Sequence, residues 1–340
     1  MLKCHLARAR SVTVVLTGTG LLVVCVLAAG PAMAAKVAPR QAARAASVGV
    51  AAAAVNPNAA SAAFNGMSEA QRVGQLFMVG TPAASVSSQT VTDIQTYHAG
   101  NVILTGRSTA GVAATASISA SLQSKADAAS TAGVPLFLSA DQEGGQVQVL
   151  QGTGFSSIPS ALTQGSYPAA TLRADAQTWG GQLKAAGVNV DLAPVLDTVP
   201  SAAFAPRNPP IGYYQREYGY DPATVSTEGG AFAQGLADAG VDASIKHFPG
   251  LGRVTANPDN SSGVTDTQTT RYDSYISPYA NAVTAGAPFL MMSTAYYSQI
   301  DPANPAAFSP TIVGGMVRGD LGFTGVIISD DLGQATQVQA

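Results

Sequence analysis

From about Met67 onward the chain alternates short apolar runs with longer Ala-rich stretches whose apolar residues recur at helical spacing. The runs cover 75–79, 101–104, 134–139, 188–193, 243–246, 289–293 and 326–329. The stretches between them, 90–98, 113–132, 170–186, 224–239, 275–285 and 310–321, read as helices. Ser309-Pro310 supplies an N-cap hydroxyl followed by a proline at the first helical position. Ala186-Gly187 and Ala239-Gly240 are helix-end chemistry.

Near-continuous apolar strands joined by helices predict a parallel sheet buried on both faces. The size and the repeated β/α unit point to an α/β fold of the (β/α)8, TIM-barrel type. A doubly wound open sheet fits less well, because no G-x-G-x-x-G opens the first helix. Only eleven residues follow position 329, whereas a further β/α unit needs roughly 30. The expectation is a barrel truncated after strand 7, with two unpaired sheet edges.

The start of the chain follows another pattern. Lys3, Arg8 and Arg10 precede an apolar stretch from Val12 to Ala29, and Ala32-Met33-Ala34 offers small residues at a cleavage site. Residues 1–34 therefore read as a secretory signal peptide and predict a secreted protein. Residues 35–64, Ala-rich with Pro39 and Pro57, read as a tether or frayed helix, leaving 65–340 as the barrel domain. No later apolar stretch is long enough to span a bilayer. Cys25 follows Leu22-Val23-Val24, which lacks the small residue of a lipobox, so lipid anchoring is not expected.

Removal of the signal leaves 14 basic against 20 acidic side chains, an acidic balance that argues against nucleic acid as a partner. With 46% hydrophobic and 11% charged residues the chain is not a disordered polyelectrolyte. Both cysteines lie in the signal, and only His98 and His247 remain after it. A disulfide, a thiolate nucleophile or a His/Cys metal site is thereby disfavoured, and no cofactor is expected. Acid–base chemistry must rest on carboxylates.

In a parallel barrel function lies at the carboxyl ends of the strands. Asp141, Gln142, Glu143, Gly144 and Gly145 follow strand 3, and Asp197 follows strand 4. Lys246, His247 and a loop to Asp266 follow strand 5; Asp330 and Asp331 follow strand 7. Any one aspartate there could be a helix N-cap, but four carboxylate-bearing mouths in so weakly charged a chain suggest glycoside hydrolysis. There one carboxylate attacks the anomeric carbon while another group protonates the departing oxygen.

Three segments sharpen this: Ala140-Asp141-Gln142-Glu143-Gly144-Gly145, Lys246-His247-Phe248-Pro249-Gly250, and 322–332, which contains Ser329-Asp330-Asp331. Together they resemble the N-terminal barrel domain of glycoside hydrolase family 3, over about Ser68 to Leu332. The nearest branch is that of the bacterial β-N-acetylhexosaminidases that trim cell-wall amino sugars. The resemblance implies that Asp330 is the nucleophile and that Asp141, Lys246 and His247 bind sugar. Arg216, in Gln215-Arg216-Glu217-Tyr218, matches a substrate-binding arginine, and Asp331 would orient the nucleophile loop.

The chain also departs from that branch. The branch's acid/base is a histidine two residues after an aspartate in the loop following Lys-His-Phe-Pro-Gly; here those positions hold Asn257 and Asp259. Leu251 stands where a histidine is usual, and Val149 where a binding arginine is usual. Asp259 could be the proton donor if its environment keeps it protonated. Two readings stay open: a secreted retaining exo-β-glycosidase with Asp330 and Asp259 as its catalytic pair, or a carbohydrate-binding pseudoenzyme that has lost its acid/base. Transfer to phosphate or another sugar shares the same first step.

Overall fold

A computed structural model describes residues 57–339. The signal segment, and the tether up to residue 56, lie outside them. The part of the tether that is described, Pro57–Gly66, is an exposed helix.

Seven strands form one parallel sheet in chain order: β1 (Met78–Pro82), β2 (Asn101–Thr105), β3 (Phe137–Ala140), β4 (Val190–Asp191), β5 (Asp242–Phe248), β6 (Phe289–Met292) and β7 (Val326–Ser329). The connecting helices are α1 (Ser88–Gln95), α2 (Gly111–Gln123), α3 (Ala169–Ala185), α4 (Pro222–Ala239), α5 (Ser277–Thr284) and the π-wound α6 (Thr311–Asp320). Ser309 opens α6 as expected, its hydroxyl accepting from the Ile312 N–H. Gly240 closes α4 in the left-handed conformation.

The sheet is curled. Ile103 on β2, Val190 and Leu192 at β4, Phe289 and Met291 on β6 and Ile328 on β7 pack into one cluster. Strands this far apart in the sheet can touch only across the inside of a barrel. The alternate residues Val102, Leu104, Leu138, Ile245 and Leu290 join the larger core, which includes Leu122, Leu172, Leu183 and Leu236 of the helices. Among the described residues the barrel is incompletely closed: β1 pairs only with β2, and β7 only with β6. Along β7 the exposure pattern is correspondingly open, with Val326 44% accessible.

The structure shifts two elements relative to the sequence pattern. The first strand begins at Met78, because Glu69–Gly74 forms a helix capped by Ser68 and Gln75, leaving Leu76 and Phe77 exposed. The stretch 113–132 is broken after Gln123, where Asp127 starts a new turn at Ala128–Thr131 through a capping box with Ser130.

Candidate active site

The site lies at the carboxyl ends of β3 to β7. The two-residue period explains its aim on both flanks. Ser139 faces the interior, its hydroxyl reaching the Met78 sulfur and the Val102 carbonyl, and Asp141 follows two positions later. On β7, Ile328 is an interior residue, and Asp330 continues its face while its N–H donates to the Met292 carbonyl. Between them β5 carries a register irregularity, with Ile245 opposite Leu290 but Phe248 opposite Met292. The extra residue breaks the alternation, so consecutive Lys246 and His247 both engage the site's carboxylates.

Lys246 is 1% exposed. Its ammonium lies 2.5 Å from Asp141 Oδ1 and 2.7 Å from Glu143 Oε1. Arg216 grips the same Glu143 with both branches of its guanidinium, Nε to Oε2 at 2.8 Å and Nη2 to Oε1 at 2.7 Å. Burial opposes ionisation of Glu143, but the two cations dominate and hold its pKa down to about 2. A backbone turn presents this carboxylate. Gly144 has φ +103°, and a Cβ there would collide with the Pro159 carbonyl.

His247 Nδ1 lies 2.7 Å from Asp197 Oδ2, and its Nε2 lies 3.4 Å from Arg216 Nη2. Because a carboxylate only accepts, the His247 ring donates to Asp197 through Nδ1. Asp197 is fully buried and also accepts from the His247 and Leu251 N–H groups and the Tyr279 hydroxyl. Burial works against its charge, but His247 and these donors hold its pKa below the ordinary carboxylate value.

Asp259 is exposed on the loop after β5. Desolvation and then the negative charge of Asp330 raise its pKa, against the pull of His247, Asn257 and Arg216. The structure brings four of the six residues expected from sequence into one bonded cluster and places Asp259 and Asp330 on the loops after β5 and β7. Asp141–Lys246 and Arg216–His247 are joined through Glu143, which both cations hold. The Asp331 carboxylate caps the turn after Asp330 by accepting from the Gly333 and Gln334 N–H groups. No group of three or more His, Cys, Asp or Glu side chains able to hold a metal occurs among the described residues.

Three further carboxylates were not assigned from sequence. Glu143 sits two residues after Asp141, and period-two spacing was the signal that could have found it. Asp197 was visible at a strand end, but nothing local reveals that it holds His247. Asp191 hides inside an apolar run. It is 1% exposed, accepts from the Gln142 N–H with Oδ1, and leaves Oδ2 unpartnered. Burial pushes its pKa up to about 8.

Paired carboxylates and cations gathered at this end of a parallel barrel fit a glycoside hydrolase, and the chain belongs to that class. More narrowly, residues 69–339 match the glycosyl hydrolase family 3 N-terminal domain, so the chain is a member of family 3. It is 31% identical over 274 residues to a beta-hexosaminidase of Xanthomonas euvesicatoria pv. vesicatoria, covering 78% of this chain and 77% of that protein. The crystal structure of a beta-N-acetylhexosaminidase from Beutenbergia cavernae is 54% identical, with a TM-score of 0.80 over 80% of this chain and 81% of that one. A family 3 beta-N-acetylglucosaminidase from a Paenibacillus species is 32% identical, with a TM-score of 0.72 over 79% of this chain and 50% of that one.

Proposed function

We propose that the protein is a retaining exo-β-glycosidase that removes terminal β-linked N-acetylglucosamine-type sugars, with Asp330 as nucleophile and Asp259 as acid and then base. The Asp330 carboxylate attacks the anomeric carbon while the Asp259 carboxyl gives its proton to the departing oxygen. Water then gives a proton to Asp259, attacks the same carbon and releases Asp330. Asp141, Lys246, His247 and Arg216 bind the sugar's polar groups.

The observation that carries this reading is the bonded cluster of Asp141, Lys246, Glu143, Arg216, His247 and Asp197 at the carboxyl ends of the strands, where Asp330 follows β7 on the face of interior Ile328. Desolvation, and then the charge of Asp330, raise the pKa of Asp259 in keeping with a donor's role. Once Asp330 is esterified that charge is gone, and the pKa of Asp259 falls as its role turns to base. The sugar assignment draws on the relatives named above. A 5-fluoro glycosyl fluoride of N-acetylglucosamine should trap a covalent adduct on the peptide holding Asp330, and Asp330→Asn should form none. An adduct elsewhere, or none on a protein that turns over a nitrophenyl glycoside, removes Asp330 from the role.

Export belongs to the same proposal: residues 1–34 would direct the chain out of the cytoplasm. N-terminal sequencing of protein recovered from culture medium should begin at Ala35, and an intact Met1 terminus would refute it.

A further inference from the structure

The donor loop and the nucleophile loop are fastened to each other by one short segment. From Asp330 the chain passes through the Asp331-capped turn to the helical turn Thr336–Gln339. There it meets the loop after β5. The Thr336 N–H and hydroxyl both donate to the Asp259 carbonyl, each at 3.1 Å. The Gln337 N–H donates to the Pro258 carbonyl at 3.0 Å. The Gln337 side chain, 6% exposed, accepts through Oε1 from the Val264 N–H at 2.9 Å on the far side of the same loop. Four hydrogen bonds from two residues therefore hold both ends of the Pro258–Val264 segment.

We infer that Thr336 and Gln337 are positioning residues, a clasp that sets the distance of the Asp259 carboxyl from Asp330. The inference rests on the reading of Asp259 as proton donor. Neither side chain donates to or accepts from a sugar-binding residue; each acts on the loop's backbone. Loss of the clasp therefore touches proton donation and leaves the sugar pocket intact. Misplacing a donor by about an ångström is enough to cost on the order of 100-fold in rate.

The test uses the full chain with Thr336→Val, Gln337→Ala and Asp259→Ala on two β-N-acetylglucosaminides. One has a dinitrophenyl leaving group, which departs without a proton, and the other an alkyl group, which needs one. Asp259→Ala should lower kcat/KM on the alkyl glycoside by about 100- to 10,000-fold while sparing the dinitrophenyl glycoside, and added azide should restore turnover of the latter where deglycosylation is slow. Each clasp variant should show the same selectivity at smaller size, about 10- to 100-fold on the alkyl substrate. If Asp259→Ala shows no dependence on leaving group, the donor assignment fails and the clasp with it. If Asp259→Ala shows it but the clasp variants lose both substrates equally, or neither, the clasp alone is overturned. Thr336→Val keeps side-chain size and both backbone bonds, so it decides the matter even if Gln337→Ala fails to fold.

Discussion

Glu217 is the residue in least comfort. It is fully buried, neither carboxylate oxygen has a partner, and burial pushes its pKa up to about 7. An unfolded chain ionises it near the ordinary value of 4.5. Between about pH 4.5 and 7 the folded state thus keeps a proton that the unfolded state has lost, and stability falls as pH rises through that window. Glu217→Gln removes the titration. The stability gap between variant and wild type should grow in the variant's favour by roughly 1–3 kcal/mol from pH 4.5 to pH 8. Urea unfolding at the two pH values measures it, and an unchanged gap would mean that no proton is trapped there. None of this could be read from sequence, where Glu217 is one more polar residue beside Arg216. Asp141, Lys246, His247 and Asp330 were legible for the opposite reason: each ends an apolar run, and position at a strand's end is what periodicity reports. Glu143, Asp191 and Asp197 owe their importance to partners 49 or more positions away in sequence, which no local pattern carries.

Among the elements, the seven strands were legible because burial on both faces makes each a continuous apolar run, and β7 falls where the pattern put it. The first strand slipped by three residues because Gln75, Leu76 and Phe77 share its composition, while the preceding helix takes Gln75 as its cap. The break after α2 came from Asp127, whose side chain starts a turn by accepting from the Ala129 and Ser130 N–H groups. A helical periodicity carried across the gap conceals such a stop. The register irregularity in β5 is the clearest case of information absent from pattern. Strict alternation would send Lys246 and His247 to opposite faces, and only the pairing with β6 shows why both serve one pocket.

At the scale of the molecule, the barrel's seam runs beside Asp330. Among the described residues β7 has a neighbour on one side only, and Asp330 is anchored by the ladder to β6 and by the downstream turn. α3 and α4, by contrast, pack closely against each other outside β4, the middle strand of the sheet. Edge elements with few buried contacts open at lower free energy than central ones. Turnover should accordingly vanish at a lower urea concentration than the transition of the α3–α4 layer, and coincident midpoints would show that the seam is as firm as the centre. That layer holds Trp179, the chain's single tryptophan, 7% exposed with its ring centroid 6.0 Å from that of Phe232. Its emission consequently monitors the wrong half of the protein. A preparation certified sound by intrinsic fluorescence can already have lost its catalyst, and shelf life is better judged by titrating competent sites than by any optical signature.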